Sequence, residues 1–198
     1  MTVLYVITKI LTFPGTITKA FFEQIMCRIF RCPVEDNRYL RTDEMCGHVE
    51  HELIERPVAS YRFCFIPGIL NFTLAMYLCL FPLLNIGVLG NYSGFIDGFV
   101  SNSEFLSKII KEEAMINTLN FLLPFFFAWL CVSLLSNLFP LYEDSIVMKE
   151  QYKKLPTIVR VILFPGYIIM RIGSWLEKYG LTFVLLIAST FAIAVIVP

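Results

Sequence analysis

Both histidines of the chain fall in one heptapeptide, Cys46-Gly47-His48-Val49-Glu50-His51-Glu52. Thiolate, imidazole and carboxylate are the ligand types of zinc. His51-Glu52-Leu53-Ile54-Glu55 reads H-E-x-x-E, one residue away from the H-E-x-x-H pattern that places two zinc ligands and a general base on one helix. On a helix His51 and Glu55 would share a face at i, i+4, and so would His48 and Glu52. The competing reading is a solvated polar stretch. Glu52 is the candidate base, His51 and His48 are the candidate ligands, and Cys46 and Glu55 are further donors.

A second polar group, Ser136-Asn137-Leu138-Phe139-Pro140-Leu141-Tyr142-Glu143-Asp144-Ser145, ends an apolar run. Asp144 there is either another metal ligand or the cap of a following helix, Ile146–Lys154, whose positive dipole end would favour Glu143. Ser133 and Asn137 stand four apart on one face, the spacing of groups that bond between helices.

These residues must be positioned by a chain that is 57% hydrophobic and 16% charged. A soluble domain carries about 25% charge. Lys plus Arg and Asp plus Glu number 16 each, so no basic field exists to attract nucleic acid. A membrane helix needs about 20 apolar residues. Three uncharged runs meet this: residues 63–89, 117–140 and 180–198. None holds Asp, Glu, Lys, Arg or His, which argues against an ion-coupled transporter.

Two shorter segments, within 1–32 and 143–178, are interrupted by charge and are expected at the interface or re-entering the membrane. Each carries a Pro-Gly pair in a similar frame, Ile10-Leu11-Thr12-Phe13-Pro14-Gly15 and Ile162-Leu163-Phe164-Pro165-Gly166, with a looser copy at Phe65-Ile66-Pro67-Gly68. Pro-Gly breaks helices, so the repeat reads as two related hairpins or as coincidence. Lys and Arg number eight in residues 1–63, two in the loop 90–116 and six in 143–178. This bias puts the N-terminal region, with its polar segment 33–62, in the cytoplasm and loop 90–116 outside. Cys27 and Cys32 are close enough in sequence to pair, but they fall on the reducing side and are expected as thiols.

Gly47-His48-Val49-Glu50-His51-Glu52 resembles the G-Y-V-x-H-E segment of a family of small prokaryotic membrane proteins labelled metalloproteases, distantly related to the site-2 protease class. Trp129-Leu130-Cys131-Val132-Ser133, followed by Phe139-Pro140 and Asp144, resembles that family's W-L-G-x-S and F-P-S-x-x-D elements. The resemblance implies zinc held by His51 and Asp144, Glu52 as general base, and peptide hydrolysis by metal-activated water. The family's His before Ala-Phe-Pro falls on Asn137 here. Either His48 substitutes for it or the site has lost a ligand.

The expectation is therefore an all-α integral membrane protein of the prokaryotic cytoplasmic membrane. It has about three transmembrane helices and two interfacial or re-entrant Pro-Gly segments. Its partners are the lipid bilayer and a peptide substrate or membrane proteins, with no nucleic acid. The alternative function is a non-catalytic accessory subunit of a membrane assembly.

Overall fold

Thirteen residues into the chain, a proline follows an apolar run, yet the helix does not end there. The computed structural model describes residues 3–36, 49–52, 54–80 and 126–196. Helix α1 (Val3–Leu11) passes through Thr12, at φ −107° and ψ 33°, into α2 (Phe13–Phe30). Thr12 N–H bonds to Thr8 O at 2.9 Å and Thr16 N–H to Thr12 O at 3.1 Å, so the ladder continues across the joint. Pro14 sits in the first turn of α2, where a missing N–H does least harm.

The same holds for the other copies. Pro67 lies inside α3 (Pro57–Ala75), which continues into a π-helical turn at Met76–Leu80. Downstream lie α4 (Phe126–Ser136) and α5 (Tyr142–Lys153). Pro165 lies inside α6 (Thr157–Lys178), and α7 (Leu181–Ile196) follows a turn at Gly180, whose φ of 72° suits glycine. The hairpin reading of the Pro-Gly pairs is thus corrected: all three pairs are helical.

The glycines of these pairs serve contact. A Cβ on Gly15 would strike the carbonyl oxygen of Ser133, and one on Gly68 that of Leu138. At both points a helix lies close against the main chain of another segment, α4 for Gly15 and the stretch after α4 for Gly68, as small residues allow.

The fold is mostly helical, 82% of the described residues. It is not purely α. β1 (Val34–Asp36) pairs antiparallel with β2 (Glu50–His51), Val34 opposite His51. Among the described residues, two helices are long and apolar enough to cross a membrane, Pro57–Leu78 and Thr157–Lys178. The first covers the expected span 63–89 in part. The second was expected at the interface, bounded by Arg160 and Arg171. Both arginines lie inside the one helix, because Pro165 fails to end it. Their guanidinium groups turn to polar partners, Arg160 to the carbonyls of Lys153 and Leu155 and Arg171 to Ser145 Oγ. The described α7 has 16 residues, about 24 Å, short of a roughly 30 Å hydrocarbon core. Loop 90–116 and the first part of span 117–140 lie outside the described residues.

The chain divides into two compact units, Met1–Thr73 with Val132–Pro198, and Leu74–Cys131. In the second, the rings of Phe126 and Trp129 meet at 5.9 Å. In the first, Tyr61, Cys64, Met148 and Met170 form one apolar core, and Met26, Cys27 and Phe63 another.

Polar residues occupy much of the remaining interior of that unit. Along α1 and α2 the buried face carries Thr8, Lys9, Thr12, Thr16, Lys19 and Glu23, whereas Leu4, Ile7, Ile10, Leu11, Phe13 and Phe21 are exposed. Helix α6 repeats the pattern, with Ser174 and Glu177 inside and Ile158, Val161, Ile162, Phe164, Ile169 and Ile172 outside.

Gly15→Ala tests the contact. Alanine favours a helix by about 1 kcal/mol. Overpacking against backbone costs about 1–3 kcal/mol, and the bond from Gly15 N–H to Ser133 Oγ (2.8 Å) is also put at risk. The variant is expected to unfold at lower temperature in detergent. Gly166→Ala, whose Cβ meets side chains rather than backbone, the Tyr61 hydroxyl and the edge of the Phe65 ring, is expected to lose less.

Candidate functional site

The structure joins two of the expected ligands. His51 comes from β2 and Asp144 from the first turn of α5, and His51 Nε2 faces Asp144 Oδ1 at 3.7 Å. Their side chains are 2% and 8% exposed. On the other edge of the ring, His51 Nδ1 lies 2.7 Å from the carbonyl oxygen of Glu52, and the ring packs edge-on against Phe63 at 4.5 Å. With Nδ1–H donating to that carbonyl, the Nε2 lone pair points at a carboxylate. An imidazole nitrogen and a carboxylate oxygen at this separation are a donor pair of the kind zinc takes.

Local sequence explains the placement. Pro57 opens α3, and residues 50–51 pair with β1, so the helix that would put His51 and Glu55 on one face does not form. This corrects the i, i+4 expectation. Glu55 is exposed and lines, with Cys32, His51, Glu52, Arg31 and Arg56, an open cleft of about 660 Å³. Glu52 is also exposed there, and its N–H bonds to Pro33 O at 3.3 Å. Asp144 is not a helix cap. Leu141 holds that position, and Asp144 is buried inside the first turn. His48 and Cys46 lie outside the described residues. Among the described residues, no three His, Cys, Asp or Glu side chains stand together as a metal would require.

Asn137 is engaged elsewhere. Its Oδ1 accepts from Lys9 Nζ at 2.6 Å, and its Nδ2 donates to Thr12 Oγ1 (3.0 Å) and Ser133 O (2.8 Å). The further candidate Asn137 thus has its amide taken up by an ammonium, a hydroxyl and a carbonyl. It belongs to a buried ionic cluster around Glu177. One oxygen of Glu177 accepts from both Lys9 and Lys19, the latter at 3.0 Å, and the other accepts from Phe139 N–H at 3.1 Å. Glu23 lies 4.0 Å from Lys19. The two lysines and two glutamates balance. Sequence reasoning read these charges as interruptions in apolar segments. Their i, i+3 and i, i+4 spacing with Thr8, Thr12 and Thr16 was the available signal of one buried polar face.

Cys32 is a further participant that the sequence reading left aside. Its Sγ donates to Glu52 O at 2.9 Å and lies 3.8 Å from His51 Nδ1. Burial, then the charges of Glu52 and Asp144, push this thiol above its ordinary pKa. No family model, curated protein or solved structure matches the chain. The resemblance to membrane metalloproteases therefore rests on its two motifs.

Two expectations follow. Removing one partner from a buried ion pair costs about 3–5 kcal/mol, so Glu177→Gln is expected to lower the unfolding midpoint in micelles sharply. Adding Lys9→Met should recover part of the loss, because one uncompensated ammonium goes with it. At Cys32 the raised pKa keeps the thiol protonated until pH passes the usual thiol range. Iodoacetamide labelling should therefore run below that of a free cysteine at pH 8 and keep rising at higher pH. Glu52→Gln removes a negative charge, lowers the thiol pKa and should speed labelling at fixed pH.

Proposed function

We propose that the chain is an integral membrane protein carrying a zinc-dependent peptidase centre, with His51 and Asp144 as ligands and Glu52 as general base. The observation that carries this reading is the facing of His51 Nε2 and Asp144 Oδ1 at 3.7 Å, with Nδ1 fixed on a backbone carbonyl. Two ligands at about 2.1 Å on a tetrahedral metal stand about 3.4 Å apart. A ligating histidine ordinarily donates its other ring N–H to a carbonyl or carboxylate, which fixes the tautomer. Those two features fit zinc, and His48 is the expected further ligand.

Bound zinc would polarise a peptide carbonyl and lower the pKa of a water. The chain supplies the rest. Asp144 contributes a carboxylate from inside the bundle. Glu52, exposed in the cleft beside His51, accepts a proton there and returns it to the leaving amine. Arg31 and Arg56 place positive charge along the cleft where a peptide carbonyl or carboxylate would lie.

Membrane insertion draws support from the two long apolar helices and from the inverted faces of α1, α2 and α6. In water an apolar exterior over a charged interior would be the wrong way round. The Lys and Arg excess in residues 1–63 favours a cytoplasmic face for the N-terminal region.

The engagement of Asn137 by Lys9 favours a second reading, a non-catalytic subunit of a membrane assembly. Metal content decides between them. Detergent-purified protein is expected to carry near-stoichiometric zinc by mass spectrometry, and to lose it in His51→Ala and in Asp144→Ala. Equal metal in all three proteins, or none in any, overturns the peptidase reading in favour of the accessory subunit.

A further inference from the structure

The C-terminal end of α2 brings two thiols to the strand that carries His51. Arg31 adopts the left-handed conformation (φ 55°), and Cys32 N–H reaches back to Cys27 O at 2.8 Å. This closure is the ordinary helix-ending turn, and it folds Cys32 over Cys27. Both cysteines are free thiols, and this backbone closure is what brings residue 32 back toward residue 27. Cys27 is fully buried, whereas Cys32 lines the cleft. The Cys32 thiol in turn donates to the Glu52 carbonyl, the same oxygen that anchors His51 Nδ1.

We propose that Cys27 and Cys32 form a reversible dithiol switch that loosens the His51 strand when oxidised. Its consequence for a metal rests on the peptidase reading, but the thiol chemistry does not. Cys32, reachable from the cleft, attacks one sulfur of a disulfide oxidant such as oxidised glutathione. The oxidant's S–S bond breaks, and one thiol leaves with the Cys32 proton. Cys27 then attacks Cys32 Sγ, forming the intrachain bond and releasing the second thiol with its own proton. The chain loses two electrons and two protons, and the oxidant becomes two thiols. Oxidised Cys32 has no S–H left for the Glu52 carbonyl, so β2 loses one of its ties to α2.

The test exposes the full chain in detergent to oxidised glutathione, with peptide mapping under non-reducing conditions. A peptide linking Cys27 to Cys32 is expected, and is expected to be absent in Cys27→Ala and Cys32→Ser. Hydrogen exchange of residues 49–52 should quicken about fivefold on oxidation, the equivalent of one lost net hydrogen bond. The two variants should show no such response to the oxidant. Cys32→Ser retains a donor for Glu52, so it also reports whether the fold tolerates the change. Failure of the link to form, or a link with unchanged exchange at 49–52, overturns the proposal. Neither result depends on zinc, which the metal assay reads separately.

Discussion

One carboxylate holds the described bundle together. Glu177 takes two buried ammonium groups on one oxygen and a backbone N–H on the other. An ion moved into a protein interior loses several kcal/mol of hydration. Lys9 and Lys19 can be inside only because Glu177 and Glu23 are there to meet them. The partners come from α1, α2, α6 and the segment after α4, so neutralising the charge and assembling the helices are one event. Asn137 completes the arrangement, accepting from Lys9 and donating to Thr12.

This inward turn of charge dictates the exterior. A helix that buries its lysines, threonines and glutamate must show its other face, and that face is apolar along α1, α2 and α6. The polar interior also needs close backbones, because short side chains such as Ser133 and Thr12 reach little beyond their own helix. Gly15 meets that need. Its N–H takes Ser133 Oγ, whose own hydroxyl donates to Thr12 O at 2.8 Å. Asn71 extends the network to α3, donating to the carbonyls of Leu134 and Asn137.

Hydropathy made part of this legible. The run beginning at Phe63 falls in a long helix, and α7 starts where a third apolar run was expected, because an uncharged stretch admits few other conformations. The same rule failed where charge and proline appeared. Lys9, Lys19 and Glu23 looked like interruptions of an apolar segment, since a one-dimensional window does not show that Glu177 lies across from the two lysines. Pro14, Pro67 and Pro165 looked like breaks, but a helix held by tertiary contacts on both sides tolerates one missing N–H. At the site, residue chemistry picked out His51, Glu52 and Asp144, and the fold brings the histidine and the aspartate face to face. It was the assumption of a helix that misplaced Glu55. Asn137, read as a group that bonds between helices, does so through Thr12, and the Lys9 ammonium on its oxygen is the part its own segment could not show.

The two halves of the candidate centre are held with unequal firmness. Asp144 sits in a helix, buried, with the Cys64 thiol on its carbonyl at 3.7 Å and Ser145 beside it fixed by Arg171. His51 sits on a two-residue strand, tied through Glu52 to Pro33 and Cys32. A ligand on a helix is placed by many bonds, and a ligand on a short ribbon by few. Any cation between them would therefore be met by a fixed carboxylate and an adjustable imidazole. The ribbon's attachments, rather than the bundle, would then set how closely the site can shut. Cys32 is one of those attachments, and it belongs to the helix end that the ionic cluster holds in place through Lys19 and Glu23. Charge burial in the bundle and ligand geometry at the ribbon are thus linked through a single helix, α2.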